Sequence, residues 1–459
     1  MNRKHGWNRR EVLRWCGSGL LVSPLIGLAG CHPGVQPPAS LAASGCACYT
    51  GTDDQLLDDI QRASFAFFWD EAPAATGQVK DRALANGGDT YTVSSIAATG
   101  FGLTALCIAD ARGYRPTTEL KDRTRKTLQF IANMPHKHGF FYHFIDMHTG
   151  ACVWDCEVSS IDTSLLLAGV LTARQHFNDQ QIKDLATMVY ERVDWPWMLN
   201  GGRTLSMGWK PESGFLRSRW DHYCELMMIY LLAYGSPSHP LDPKTWEAWT
   251  RPTYTYDGIT YISAGAPLFT HQYSHAWYDF RNKRDAYADY YDNSVKATEA
   301  HKRFCLFMRD KYPTYSEDLW GITASDSQQG YTDWRCPPAG GPIKCAVVPC
   351  IGDAVVPCID GSVVPCAAGG SLPFAFNDCM RVMRTLRGPY AHMVWKKYGF
   401  VDVFNPMNGW VNPDVIGIDV GITMVMAENA RTGFVWDTFM KNSEAQVGMQ
   451  KAGFKPVSP

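Results

Sequence analysis

The sequence has no excess of either charge and, beyond residue 52, no apolar run long enough to cross a membrane. Its 43 basic and 45 acidic residues leave a formal net charge of −2, which argues against a nucleic-acid partner. No segment repeats at a fixed period, so a solenoid is not predicted. A second linker is also absent, which favours one large domain over residues 53–459.

Paired CxxC motifs at zinc-binding spacing are missing, although the chain contains 15 cysteines. That number is unusual for a reducing cytosol, whereas an exported protein can oxidise its cysteines. Six of them lie between Cys336 and Cys379, where "AVVPCIGDAVVPCIDGSVVPC" repeats VVPC three times. The repeat predicts a duplicated surface loop inserted at 336–366, with disulfides among the copies as one possibility.

Residues 1–30 have the pattern of an export signal. "NRREVLRW" carries a twin arginine, and the apolar "GSGLLVSPLIGLAG" follows it. The stretch ends in "LAGC", which predicts that Cys31 becomes the lipid-bearing first residue of the mature chain. Cleavage of an ordinary signal peptide near Ala43 is the alternative. We therefore expect export by the twin-arginine route and a periplasmic protein held at the membrane only by its lipid.

Residues 31–52 are rich in Pro, Ala, Ser and Gly, which predicts a flexible tether. Folding should begin near Asp53. Beyond it, helices that are apolar nearly all round alternate with amphipathic or polar ones. The clearest pair is 94–111 with 117–134, and the pattern recurs in 159–177 with 179–195, 221–235 with 242–251, and in 293–311, 377–396 and 418–433. Alternation of this kind predicts an all-α (α/α)6 toroid, with a helix bundle as the competing arrangement.

Three carboxylates stand in "WDCEVSSIDTSLLLAG", just before a run of leucines. Ser159 can cap the helix that follows, and Asp162 occupies the third helical position, where capping and the helix dipole suffice to explain an acid. Asp155 and Glu157 precede the cap and are not needed for it. We expect them in the loop at the mouth of a cleft.

Two further acids begin apolar segments. In "RSRWDHYCELMMIY", Asp221 is the expected cap and Glu225 should lie one turn inside the helix, where burial would keep it protonated. Catalysis and a structural ion pair are the two interpretations of Glu225. Asp419 stands in "GIDVGITMVM", where capping is again an alternative to catalysis.

The loops are rich in aromatic and hydrogen-bonding side chains, a composition that suits a carbohydrate cleft, although single aromatics can equally belong to the core. His271 and His275 could bind zinc if they were helical, but no HExxH glutamate lies between them and a loop is predicted. We expect no metal, no cofactor and a monomer. The candidate substrate-binding residues are Asp155, Asp162, Trp69, Asp70, Arg82, Trp209, Lys210, His271, Tyr273, His275 and Trp320.

From Asp54 to Phe454 the chain resembles the bacterial glucoamylase-like proteins of glycoside hydrolase family 144. The resemblance rests on an ordered set of motifs, among them "FFWDEAPAATGQVKDR", "GFFYHFIDMHTG", "CEVSSIDTSLLLAG", "MGWKPESGFL", "HQYSHAWYDFR", "LWGITASD", "GSLPFA", "GFVDVFNP" and "IGIDVGITMVMAENARTG". It implies an (α/α)6 toroid and hydrolysis of β-1,2-glucan, either internally or by release of sophorose from a chain end. The tripled VVPC loop departs from the family pattern and leaves the choice between these two modes open.

The resemblance also places the family's essential glutamates on Glu157 and Glu225 and the acid of its GID motif on Asp419. A glycosidase needs one acid to protonate the leaving oxygen and one base to activate water, about 6.5–9.5 Å apart for inversion. We predict Glu225 as the acid and Asp419 as the base, with Glu157 as the second choice for the base. Inversion is favoured by the resemblance. A non-catalytic glycan-binding lipoprotein and a polysaccharide lyase are the alternatives.

Overall fold

The computed structural model describes residues 48–265, 267–334, 336–337 and 359–457. The predicted signal peptide, Cys31, most of the tether and the first two VVPC copies lie outside this part of the chain. The third copy, residues 363–366, is buried, and Val363 pairs with Phe404. The prediction of a surface loop is therefore wrong for that copy, because apolar side chains at its end enter the core.

Helices dominate the described residues, and the first begins at Asp53 as predicted, with a capping box at Thr52. The described part of the chain also contains the 3₁₀ helices Pro243–Glu247, Leu268–His271, Ser274–Ala276 and Met308–Asp310. The α-helices are α1 Asp53–Asp70, α2 Ile96–Ala111, α3 Thr117–Asn133, α4 Ser160–His176, α5 Gln180–Glu191, α6 Trp195–Leu199, α7 Met227–Gly235, α8 Tyr290–Phe307, α9 Pro365–Gly369, α10 Phe376–Arg387, α11 Ala391–Val394, α12 Gly417–Arg431, α13 Phe434–Phe439 and α14 Ser443–Lys451.

The predicted alternation of buried and amphipathic helices is confirmed for α2 with α3 and for α4 with α5, whereas the predicted outer helix 242–251 forms only the 3₁₀ helix Pro243–Glu247. Nearly every residue of α2, α4, α7 and α12 is buried, whereas α3 buries one stripe that includes Leu120, Leu128 and Ile131. Burial on all sides requires a second layer of helices around the first. Accordingly α1, α3 and α5 pack against the buried helices α12, α2 and α4.

The strands are short and form antiparallel sheets of two or three strands in the described part of the chain. Several lie directly before a buried helix. Their bounds are β1 Arg82–Leu84, β2 Val93–Ser95, β3 His136–Lys137, β4 Phe140–Phe141, β5 Phe144–Asp146, β6 Val158–Ser159, β7 Gly208–Lys210, β8 Gly214–Phe215, β9 Thr253–Tyr256, β10 Ile259–Ile262, β11 Lys283–Arg284, β12 Trp395–Lys396, β13 Gly399–Phe400, β14 Phe404–Asn405, β15 Trp410–Val411, β16 Asp414–Ile416 and β17 Lys455–Pro456.

Glycines allow α2, α4 and α12 to approach closely with their first turns at the same end. A Cβ atom at Gly100 in α2 would lie 2.2 Å from the Leu165 carbonyl oxygen in α4. One at Gly421 in α12 would lie 2.6 Å from the Phe101 Cβ atom in α2. In each pair the two residues stand about equally far from their helix starts. The starts themselves are linked, because the Ile96 amide donates to His143 and the His143 amide to Glu157, while the Gly417 amide donates to Asp81 and the Asp81 amide to Val93. The three helices therefore run in the same direction.

The segment around Glu225 departs from the prediction. Helix α7 begins at Met227, so Asp221 is not its cap and Glu225 lies in the turn before it. Residues 221–223 are held extended instead, because Thr250 pairs with His222 and accepts the Tyr223 amide hydrogen.

In the described part of the chain, no helix has both the length and the apolar character needed to cross a membrane.

Candidate active site

Short strands place several of the candidate acids at one end of the parallel helices. β1 pairs with β16, and α12 begins directly after β16. β2 pairs with β5 and leads into α2, while β6 pairs with β7 and leads into α4. Residues in these strands and in the first helical turns therefore gather at the same end of the helix group.

A histidine lies between two of the predicted carboxylates. His143 Nδ1 is 3.4 Å from Glu157 Oε1, and His143 Nε2 is 3.6 Å from Asp162 Oδ1. All three side chains are buried. The Ser159 hydroxyl accepts the Asp162 amide hydrogen at 3.1 Å, which confirms the predicted cap. Asp162 thus belongs to the helix start and also faces His143.

Among the described residues, His143, Glu157 and Asp162 are the one group of three or more His, Cys, Asp or Glu residues whose potential metal-ligand atoms all lie within 4.8 Å of one another. The short contacts to the two carboxylates use opposite nitrogens of the imidazole ring. A single metal ion could bind only one of those two nitrogens. The arrangement is therefore an imidazole ring that lies between two carboxylates and contacts both of them.

Asp419 lies in the first turn of α12, with 5% of its surface exposed. The N-cap of this helix is Ile416, which makes no side-chain capping bond, so side-chain capping does not explain Asp419. A small internal cavity is lined by both Asp419 and Asp402. Asp402 Oδ2 accepts hydrogen bonds from the Asp326 amide and the Asn412 side chain, both at 3.0 Å. Burial, followed by the negative charges of Asp419 and Asp326, raises the pKa of Asp402 well above its usual value.

Arg82 joins this group of carboxylates from the neighbouring strand. It stands opposite Ile416 in the β1–β16 pair, one residue before α12 begins. Its Nη1 atom is 2.7 Å from Asp326 Oδ2, and its Nε atom is 3.2 Å from Asp81 Oδ2. The guanidinium therefore balances part of the negative charge that surrounds Asp419.

Glu225 is buried at the start of α7, although it is not inside the helix. The Ser274 hydroxyl donates to its carbonyl oxygen at 2.8 Å and accepts the Met228 amide hydrogen at 3.1 Å. Burial raises the pKa of the neighbouring Cys224 thiol. A neighbouring segment thus fixes the turn that carries Glu225.

Trp209, Lys210 and Asp155 lie close to Glu157 along the chain or across a sheet. Trp209 is partly exposed and stands opposite Val158, the residue after Glu157. Lys210 follows it in β7. Asp155 is exposed in a turn, where its φ angle is 47°.

The structure corrects the predictions for Trp69 and Asp70. The guanidinium groups of Arg115 and Arg123 lie 4.1 and 4.2 Å from the centre of the Trp69 ring. That ring is therefore occupied and is not a platform for a sugar. Asp70 pairs on the surface with Lys397, 2.9 Å away.

The predicted substrate-binding residues His271, Tyr273, His275 and Trp320 are each at most 3% exposed, and their role in binding stays a prediction. The predicted loop around the histidines forms two 3₁₀ turns. Burial lowers the pKa of both histidines to about 3, so each is neutral at pH 7. His275 Nε2 lies 3.1 Å from the Ser294 hydroxyl.

Sequence reasoning missed three residues of the site: His143, Asp326 and Asp402. Each stands inside a quoted motif, "GFFYHFIDMHTG", "LWGITASD" or "GFVDVFNP". His143 and Asp402 are each flanked by apolar residues, which is a signal for burial, whereas Asp326 lies between two serines and has no such signal. The partner of each residue is distant in sequence, however, and only the fold brings it near.

The chain is similar in sequence and fold to glucoamylase-like proteins. Residues 217–443 match the family model described as "Putative glucoamylase", which confirms the resemblance in the motifs. The chain is 28% identical over 443 residues to the exo β-1,2-glucooligosaccharide sophorohydrolase (non-reducing end) of Parabacteroides distasonis. This match covers 88% of the chain and 58% of that curated relative.

Two solved structures extend the comparison. The endo-β-1,2-glucanase of Chitinophaga pinensis, in complex with sophorotriose and glucose, is 27% identical with a TM-score of 0.80, covering 88% of this chain and 99% of that one. A β-1,2-glucanase of Parabacteroides distasonis is 27% identical with a TM-score of 0.79, covering 88% of this chain and 60% of that one. The helix-rich glucoamylase-like architecture is thus shared over most of the chain.

Proposed function

We propose that this protein is a glycoside hydrolase that cleaves β-1,2-glucan by an inverting acid/base mechanism. The observation that carries the proposal is the burial of Glu157, Glu225 and Asp419 at the starts of three buried helices, in a chain similar to enzymes named for this substrate. Buried carboxylates without a capping role are costly unless they have partners or a task.

We also propose that the helices close into an (α/α)6 toroid. The buried helices contact one another in the series α12, α2, α4 and α7. Ser274 joins α7 to the 3₁₀ segment 268–276, and Gln272 in that segment donates to the Ala367 carbonyl oxygen in α9 at 3.0 Å. Because α9 packs against α12, these contacts support a closed ring of six inner segments.

In the proposed mechanism, Glu225 protonates the leaving glycosidic oxygen and Asp419 activates the water that attacks the sugar. Arg82 and the hydrogen-bonded Asp402 set the charge around Asp419. Glu157, oriented by His143, is the second candidate for the base and otherwise binds sugar hydroxyls.

The test is incubation of the mature chain with linear β-1,2-glucan, with products followed by chromatography. Glu225→Gln should lower the rate on the order of 10²–10⁴-fold, because it removes the proton donor. Glu119→Gln makes the same chemical change on the exposed side of α3 and should leave the rate unchanged. Sophorose alone from the outset indicates exo action, and a ladder of oligomers indicates endo action.

Two outcomes would replace the proposal. Binding of the glucan without release of any product would indicate a glycan-binding protein. A product absorbing in the ultraviolet, formed from a uronate polymer, would indicate a lyase. Equal activity of Glu225→Gln and the parent would remove Glu225 from the mechanism.

We further propose that the protein is an exported, monomeric lipoprotein anchored through Cys31, as the first thirty residues suggest. Labelling of cells with a radioactive fatty acid should mark the parent and not Cys31→Ala. Sedimentation of the mature domain should give the mass of one chain. An unlabelled parent would contradict the lipid anchor.

A further inference from the structure

Two cysteines lie next to each other in the turn that immediately precedes Glu157. The Cys152 and Cys156 sulfur atoms are 3.3 Å apart. Trp154 and Asp155, between them, have φ angles of 59° and 47°, so the backbone folds back and brings the two sulfurs together. We propose that Cys152 and Cys156 are an oxidisable pair whose disulfide closes this turn.

The surroundings hold both cysteines in place. Cys152 pairs with Ile145 across an isolated bridge, and the carbonyl oxygen of Glu157 accepts the His143 amide hydrogen at 3.0 Å. The turn is thus anchored at both ends on one neighbouring segment. A disulfide needs an S–S distance of about 2.05 Å. Closing the gap is a small local movement between side chains that already face each other.

The chemistry of the two thiols differs in a way that suits disulfide exchange. Cys152 is partly exposed, and the hydrogen bond from the Cys156 thiol lowers its pKa. Cys156 is buried, with its sulfur 3.2 Å from the Phe144 carbonyl oxygen. The accessible thiol with the lower pKa is the better first nucleophile.

The oxidant is a low-molecular-weight disulfide such as oxidised glutathione. The Cys152 thiolate attacks one of its sulfurs, forms a mixed disulfide and releases one thiolate. Cys156 then attacks the Cys152 sulfur and releases the second thiolate. The protein loses two electrons and two protons, and the small disulfide gains them as two thiols.

The consequence concerns Glu157, which follows Cys156 directly. Closing the ring fixes the backbone before Glu157, and His143 holds the carboxylate 3.4 Å away. The ring also holds Trp154, which is 49% exposed at the tip of the turn and makes an edge contact with Phe144 at 5.1 Å. This consequence for hydrolysis rests on the proposed function, whereas formation of the disulfide does not.

The test equilibrates the full chain in buffers of graded oxidised and reduced glutathione, alkylates free thiols and analyses the peptides by mass spectrometry. The peptide spanning 152–156 should lose the mass of two hydrogen atoms and escape alkylation, while exposed Cys48 is alkylated or carries one glutathione. Cys152→Ser should leave Cys156 open to alkylation after unfolding, and Cys156→Ser should trap Cys152 as the mixed disulfide with glutathione. Alkylation of both cysteines at every glutathione ratio would overturn the proposal.

Amide hydrogen exchange of residues 153–157 supplies the second readout. Oxidation should slow exchange there on the order of tenfold, as expected for closing a short ring, and leave Cys152→Ser unaffected. Unchanged amide exchange in the protein with the Cys152–Cys156 disulfide would refute the restriction of the backbone before Glu157. Absence of glucan hydrolysis in both redox forms would refute the proposed function, while the mass analysis still decides on the disulfide.

Discussion

Replacing Gly169 in α4 by alanine tests whether the close approach of α2 and α4 positions the site. The added Cβ atom would lie 2.0 Å from the Gly100 carbonyl oxygen, and real contacts of this kind are essentially never under 3.0 Å. The two helices must therefore separate by about 1 Å, the difference between these distances. Because the obstructing atoms belong to the backbone, no side-chain rotation can relieve the contact.

The expected energies oppose each other. Alanine is favoured over glycine in a helix by about 1 kcal/mol, whereas overpacking a core costs about 1–3 kcal/mol. Since only the backbone can yield, we take the upper end of that range, which leaves a net loss of about 2 kcal/mol. A shift of about 1 Å in α4, which carries Asp162 in its first turn and directly follows the segment with Glu157, should also lower turnover on the order of 10²-fold.

The assays are urea unfolding followed by circular dichroism and hydrolysis of β-1,2-glucan. Gly100→Ala is the matched variant, because its Cβ atom would meet the Leu165 carbonyl oxygen from the other helix at 2.2 Å. The double variant should lose less than the sum of the two single losses, since one separation relieves both contacts. Additive losses, or a Gly169→Ala protein as stable as the parent, would refute the reasoning.

Three other predictions follow from the buried and surface groups. Asp402→Asn should raise the urea midpoint at pH 7 but not at pH 4. The pKa of Asp402 in the folded protein lies above its unfolded value of about 3.9, so its carboxyl group opposes folding increasingly as the pH rises. A variant with the same midpoint as the parent at pH 7 would contradict this. Burial lowers the pKa of His271 and His275 to about 3 and that of His301 to about 4. The free energy of unfolding should therefore be highest above about pH 6.5, and below that pH each histidine should reduce it by roughly 1.4 kcal/mol per pH unit. Urea midpoints at pH 7 and 5 measure this loss, and a His275→Gln protein with the same pH dependence would argue against it. Trp69→Leu should lower stability by about 1–2 kcal/mol through two lost cation–π contacts and leave hydrolysis unchanged; a loss of activity in the folded variant would return Trp69 to the site.

The sequence by itself determined the helical architecture and the acids that begin the buried helices. Helix α4 is apolar around its circumference and α3 is not, and this difference predicts which helix is covered by another layer. The helix cap at Ser159 is likewise predictable from the sequence, because an N-cap depends only on neighbouring residues.

Only the tertiary structure decided which polar residues meet and which are buried. His143 contacts Glu157 and Asp162, and Asp402 shares a cavity with Asp419, although no local pattern links them. Conversely, Trp69, His271 and His275 are residue types that suit a sugar cleft. Two arginines cover the Trp69 ring, however, and both histidines are buried in the core. Burial and contact depend on residues far along the chain, because non-local packing, unlike helix periodicity, is set by the fold as a whole.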